Sequence, residues 1–239
     1  MKRFSRLVVA PLLLLFLAGC AKSPSGGPVT PTAPNRLIVN LQTQAPVNNA
    51  YIYAFAFDDD DDSADGPAAI ISSTALPNGV VGGSFTALVI YQAGQYTVYR
   101  RTDLGNGNER LDRVANAFVV PPAPASGNLL SFTLNLDATD DSGARLFRAG
   151  VQRLDVNFVT TNEIRRDPND LRRKAYDAFG PRLASFYATL DIRGNRVYTN
   201  AAAAGVTEPG NDVQTDDTNN TINLSQLDIT DFSLSVERQ

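Results

Sequence analysis

The sequence predicts an all-β protein: an immunoglobulin-like or related β-sandwich, one large or two small, with one short helix. Three observations carry this. Short segments alternate apolar and polar side chains with period two. Turn-forming stretches separate them, drawn from 17 Gly and 14 Pro in 239 residues. Finally, 43% hydrophobic against 19% charged residues is ordinary for a chain with a packed core and too apolar for a disordered one.

The elements follow in order. From Arg36, RLIVNLQ alternates Leu37, Val39 and Leu41 against more polar neighbours. AYIYAFAF sets Tyr51, Tyr53, Phe55 and Phe57 on one face and Ala50, Ile52, Ala54 and Ala56 on the other, the pattern of a strand covered on both sides. Facing outward, that aromatic stripe would be a large apolar patch of the kind monomers avoid. It is therefore assigned to the core and not to a sugar-stacking platform. SFTALVIYQAGQYTVYRR reads as a hairpin turning at Gln92-Ala93-Gly94. NLLSFTLNLD is the cleanest alternation, with Leu130, Phe132, Leu134 and Leu136 inward. RLDVNFVT alternates Leu154, Val156 and Phe158; SFYATLDIRGNRVYTN reads as a second hairpin, turning at Gly194-Asn195. DITDFSLSVE closes the chain with Phe232, Leu234 and Val236 inward.

The helix is expected after Asp167, which can cap it, with Pro168 at its first position and Asp170 in its first turn. Leu171, Ala175 and Phe179 would form its inner face, Arg172, Arg173 and Lys174 its solvated face, and Gly180-Pro181 its end. The polar stretch 201–221 is expected to be a mobile loop. Residues 36–137 have the size of one sandwich. Residues 144–239 form a β-rich second half, either a separate domain or a continuation, after a break at ATDDSGA, residues 138–144.

The chain starts differently. MKRFSR carries Lys2, Arg3 and Arg6, and LVVAPLLLLFLA is apolar but shorter than the roughly 20 residues of a membrane span. A basic start, a short apolar middle and small residues at its end read as a secretory signal over residues 1–19. Leu17-Ala18-Gly19-Cys20 resembles the lipobox of bacterial lipoproteins, a resemblance confined to residues 1–20. It implies that Cys20, the only cysteine, takes a diacylglyceryl group, becomes the first residue after cleavage and is acylated on its new amino group. Each buried CH₂ contributes about 0.8 kcal/mol, so two or three chains would hold the protein on a membrane. The resemblance further implies a bacterial cell envelope and, where there are two membranes, passage to the outer one, because Ala21 and not Asp follows Cys20. Residues 20–35 continue as a tether with Pro24, Pro28, Pro31 and Pro34, reaching about 45 Å if extended at 3.1 Å per residue.

Composition excludes several chemistries. There is no His, so Ser-His-Asp, Cys-His and His-based zinc sites cannot be built. Lys2, Lys22 and Lys174 are the only lysines, and a Ser-Lys hydrolase would depend on Lys174, in a basic run that reads as solvated. The full chain has a net charge of −4; without residues 1–19, which hold three basic and no acidic residues, 18 basic face 25 acidic residues, or −7. Such a body does not attract nucleic acid through bulk charge.

The acidic run DDDDDSADG, residues 58–66, places Asp61, Ser63 and Asp65 before Gly66 like the start of a calcium loop, with oxygens suited to a hard cation. The twelfth position would be Ser72 and not Glu, and further acids cluster at Asp137, Asp140, Asp141, Asp212, Asp216 and Asp217, so a solvated acidic loop is the competing reading. Asp141-Ser142-Gly143-Ala144 resembles one element of aspartic proteases, without a second copy. The functional expectation is a lipid-anchored envelope protein with a non-enzymatic binding, display or structural role toward an envelope protein or glycan. The alternative is an envelope hydrolase with paired loop carboxylates about 5–10 Å apart.

Overall fold

The computed structural model describes residues 34–239 apart from 63, 71–77, 106–107, 166–168, 182–185 and 201–204. Period-two segments become strands in chain order: β1 (Arg36–Thr43), β2 (Ile52–Asp58), β3 (Pro67–Ala69), β4 (Val81–Gly83), β5 (Ala87–Gln92), β6 (Gln95–Gly105), β7 (Asn108–Arg113), β8 (Leu129–Asn135), β9 (Arg153–Thr161), β10 (Ala175–Ala178), β11 (Ala188–Asp191), β12 (Arg196–Thr199), β13 (Gln214–Thr215) and β14 (Ile229–Glu237). One sheet has the order β12-β14-β1-β8. The larger runs β13-β10-β9-β2-β5-β6-β7, with β11 sharing the edge of β9 that β10 occupies, and β3 and β4 form a separate ribbon. Strands from both halves of the chain share both sheets, meeting at one junction in each: β14 pairs with β1 in the small sheet and β9 with β2 in the large one.

Register explains the core. Leu37 stands between Leu134 and Val236, Val39 between Phe132 and Leu234, and Leu41 between Leu130 and Phe232. These three apolar rows face the large sheet, where Phe55 pairs with Phe158 and Val89. Rings interlock across the layers: Phe55 lies edge-on to Phe132 with centroids 4.8 Å apart, and Phe179 sits 4.6 Å from Phe232. Such pairs contribute about 0.5–1.5 kcal/mol each beyond area burial. A second, smaller core covers the opposite face of the large sheet, where Ile52, Ala54, Ala56, Leu88 and Val159 meet Val80, Val81 and Phe85. Tyr53, Phe55 and Phe57 are all buried, as their stripe predicts. The first hairpin turns where expected: Ala93 and Gly94 have φ of 52° and 79°, the two-residue turn whose twist matches the strands.

The structure corrects four expectations. The predicted helix is not one: Ala175–Ala178 form β10, paired with β9 and β13, and Leu171 is 89% exposed; Asp167 and Pro168 lie outside the described residues. Leu171, Ala175 and Phe179 are spaced by four, which satisfies a helical face and a strand face alike. Among the described residues, the only helical element is the 3₁₀ turn Leu224–Gln226. Lys174 is buried, not solvated, and its Nζ donates to the Ile70 carbonyl at 3.1 Å. The second hairpin is a crossover: β11 joins β9 in the large sheet and β12 joins β14 in the small one, so the Gly194-Asn195 bend carries the chain between layers. The polar stretch 201–221, beyond its undescribed residues 201–204, contains β13 and buries Val206, Glu208 and Asp217.

Candidate functional site

The acidic run leaves the end of β2, and its first members turn inward. Asp58 and Asp59 are buried. Asp59 accepts hydrogen bonds from the Thr86 hydroxyl at 2.6 Å and from the Arg148 backbone N–H, with the Arg148 guanidinium 3.5 Å away. Asp58 Oδ1 accepts the Asp59 N–H at 3.0 Å, while Oδ2 has no hydrogen-bond partner among the described residues. Burial pushes the Asp58 carboxyl above the usual range, against the Thr86 hydroxyl, which donates to Oδ1 at 3.2 Å and favours its charge. Asp58, Asp60 and Asp65 each bring an oxygen within 4.8 Å of the others. The acids that gather are not the trio Asp61, Ser63 and Asp65 that the sequence suggested. Asp65 is in the cluster, Asp61 instead pairs with Arg148 at 3.1 Å from a left-handed backbone (φ 65°), and Ser63 lies outside the described residues. Cys20 also lies outside them.

The protease-like element is a turn. Asp140 Oδ1 accepts from the Ser142 and Ala144 N–H groups and the Ser142 hydroxyl, and its other oxygen pairs with Arg100 at 2.9 Å. These donors hold the carboxyl below the usual range.

A groove of about 630 Å³ opens beside β6, with Tyr96, Phe118, Pro121, Pro122 and Pro124 among its walls and Arg113 as its one charged lining residue. No carboxylate lines it. A smaller cleft of about 380 Å³ holds Asp61 and Asp191 with Arg153, Arg193 and Arg196. Hydrogen bonds from Arg193 hold Asp191 well below the usual carboxylate range, so it suits a structural ion pair and not an acid catalyst.

Sequence reasoning missed a second group of carboxylates at one end of the sandwich. Asp177 projects from β10 toward the small sheet: its Oδ2 accepts the N–H of Ile229, the first residue of β14, at 2.7 Å, and its Oδ1 accepts the Ala178 N–H at 3.0 Å. Glu208 Oε2 accepts the Gly180 N–H at 3.1 Å, and Asp228 Oδ1 accepts the Asn211 N–H at 2.6 Å. Asp177, Glu208 and Asp228 are 3%, 4% and 1% exposed; Asp212 is half-buried. Asp177, Glu208 and Asp212 each place an oxygen within 4.8 Å of the others. Burial first, then mutual repulsion among the four, pushes Glu208 up to about 10; burial chiefly pushes Asp177 up to about 8. The one sequence signal was an acid at an inward position of an apolar stretch, Ala175-Tyr176-Asp177-Ala178-Phe179. No family model, curated protein or solved structure matches the chain.

Proposed function

We propose that this chain is a membrane-anchored lipoprotein of a bacterial cell envelope, held by lipid on Cys20, whose β-sandwich body has a non-enzymatic binding, display or structural role. The observation that carries the proposal is Leu17-Ala18-Gly19-Cys20 at the end of a basic-then-apolar segment too short to span a membrane. Its setting adds support: a Pro-rich tether follows, and β1 begins at Arg36, directly after it. A body of this kind offers the aromatic and proline-walled groove beside β6 to an envelope protein or glycan. Two features favour binding over hydrolysis. Among the described residues that groove has no carboxylate in its walls, and the convergent acids Asp177 and Glu208 are buried where no glycan reaches.

Cys20→Ser should move the protein out of the detergent phase on phase partition, and intact-mass analysis of the wild type should find a diacylglyceryl-modified chain starting at Cys20. An unmodified mass for residues 20–239 would reject the reading.

A further inference from the structure

We propose that Asp177, Glu208 and Asp212, with Asp228 beside them, form a calcium site that ties the two sheets together at one end of the sandwich. The site is distinct from the acidic run at Asp58–Asp65 and does not depend on the lipid anchor.

Four features of the geometry point to a cation. The first is the pair of unpartnered oxygens: Glu208 Oε1 and Asp228 Oδ2 have no hydrogen-bond partner among the described residues, although both side chains are more than nine-tenths buried. Buried carboxylate oxygens without partners are costly, and buried charge is normally paired or metal-bound. The second is orientation. The other oxygen of each is held by a backbone N–H, from Gly180 and Asn211, which aims the carboxyl and leaves one oxygen over. Hydrogen-bonded carboxylates of this sort are how proteins position metal ligands. The third is spacing. Calcium binds oxygens at 2.3–2.6 Å, so ligands on opposite sides of one ion stand at most roughly 5 Å apart, and the Asp177, Glu208 and Asp212 oxygens lie within 4.8 Å of one another. The fourth is charge. Among the described residues, no Lys or Arg forms an ion pair with Asp177, Glu208 or Asp228, while Asp212 and Asp228 repel both Asp177 and Glu208.

Donor chemistry selects the ion. All the side-chain ligands are carboxylate oxygens, and the chain has no His and only Cys20 as thiol, so a hard divalent cation fits and a soft transition metal does not. The larger, geometrically tolerant Ca²⁺ suits a site whose ligands come from β10, the 205–213 loop and the residue before β14, better than Mg²⁺ with its strict octahedron at about 2.0–2.1 Å. Asp212 is half-buried as a residue, but both of its carboxylate oxygens are buried with the others, so the site is enclosed.

The test is a thermal melt of the full chain in detergent at pH 7.5, with calcium titrated in and then chelated, beside calcium binding followed by calorimetry. Calcium at a hundredfold over its dissociation constant should raise the midpoint by roughly 5–10 °C, and chelator should reverse it. Glu208→Gln keeps the shape and the Gly180 hydrogen bond. It should abolish the calcium response while leaving the calcium-free midpoint at or above that of the wild type. Asp228→Asn should do the same to a lesser degree and serves if Glu208→Gln does not fold. Asp60→Asn with Asp65→Asn should leave the response intact. No shift in the wild type up to 10 mM calcium would overturn the site and leave a cluster of protonated carboxyls. A response lost in the Asp60/Asp65 pair but kept in Glu208→Gln would also overturn it, by placing the ion in the acidic run.

Discussion

The two sheets of the sandwich treat their outer faces in opposite ways. On β1, β8 and β14 every second residue faces the core and the rest, among them Asn40, Ser131 and Ser233, face water or lie half-exposed. On β2, β9 and β10 both faces are dry: Val80, Val81 and Phe85 cover the outer side, so even Asn157, Thr161 and Lys174 are buried. A polar residue on the small sheet therefore solvates, and one on the large sheet has to be satisfied from within the protein. Asn157 shows the second case, donating to the Pro67 carbonyl at 2.9 Å and accepting the Phe179 N–H at 3.2 Å. The difference teaches that a polar side chain's role here depends on which layer carries it, and that the candidate chemistry gathers where the layer is dry.

Substitutions can break this contrast. The largest effect is expected at the shared inner face: Phe158→Ala, in a fully buried site with rings of Phe55, Phe179 and Phe232 around it, should cost about 3–5 kcal/mol in denaturant melts. A loss below about 1 kcal/mol would mean that the sheets do not meet there. Next come the outer faces, compared directly. Asn157→Ala strands a buried carbonyl and should cost about 1–3 kcal/mol, whereas Ser131→Ala on the wet sheet should stay within about 0.5 kcal/mol. Equal costs at the two positions would erase the distinction.

The smallest effect is a slope. Burial, with Arg165 nearby, lowers the Lys174 pKa below 10.5, against the attraction of Asp216 and Glu163. Between the lowered folded value and 10.5, the unfolded chain holds a proton there that the folded chain lacks. Stability from this group therefore rises as pH climbs through that window, levels off above 10.5, and is constant below the folded-state value. Lys174→Met should flatten the difference in unfolding free energy measured at pH 8 and pH 10. An unchanged slope would show that Lys174 does not titrate differently on folding.

What could be read from the sequence follows the same division. β1, β8 and β14 were legible because one wet face writes a period of two into the residues. Through β10 and Phe179 after it, five consecutive residues from Ala175 are buried, so no alternation remains, and a spacing of four then suits either element. Turn chemistry at Gly194-Asn195 shows that the chain reverses but not that the two strands leave for different sheets. The acidic run was visible as composition. Which of its acids gather was not, because a left-handed residue at Asp61 swings that side chain to Arg148 and leaves Asp58 and Asp60 beside Asp65. Asp177, Glu208 and Asp228 are single acids scattered over the last third of the sequence. Only the pairing of β9 with β10 and the docking of β14 bring them together.

The pairing of β1 with β14 also governs when this protein can finish folding. Arg36 lies opposite Glu237 and Leu37 opposite Val236, so the first strand to be synthesised waits for the last. At 5–20 residues per second, roughly 10–40 s separate β1 from β14 on the ribosome, and contacts of such long sequence separation form slowly even in a released chain. During that interval β1 has both edges open until β8 is made and one open edge from then until β14 follows, so the small sheet is incomplete. If the chain is exported as we propose, this order of events would be an advantage. For a chain truncated before Ile229 it is a hazard, because the unpaired edge of β1 would remain exposed to other strands.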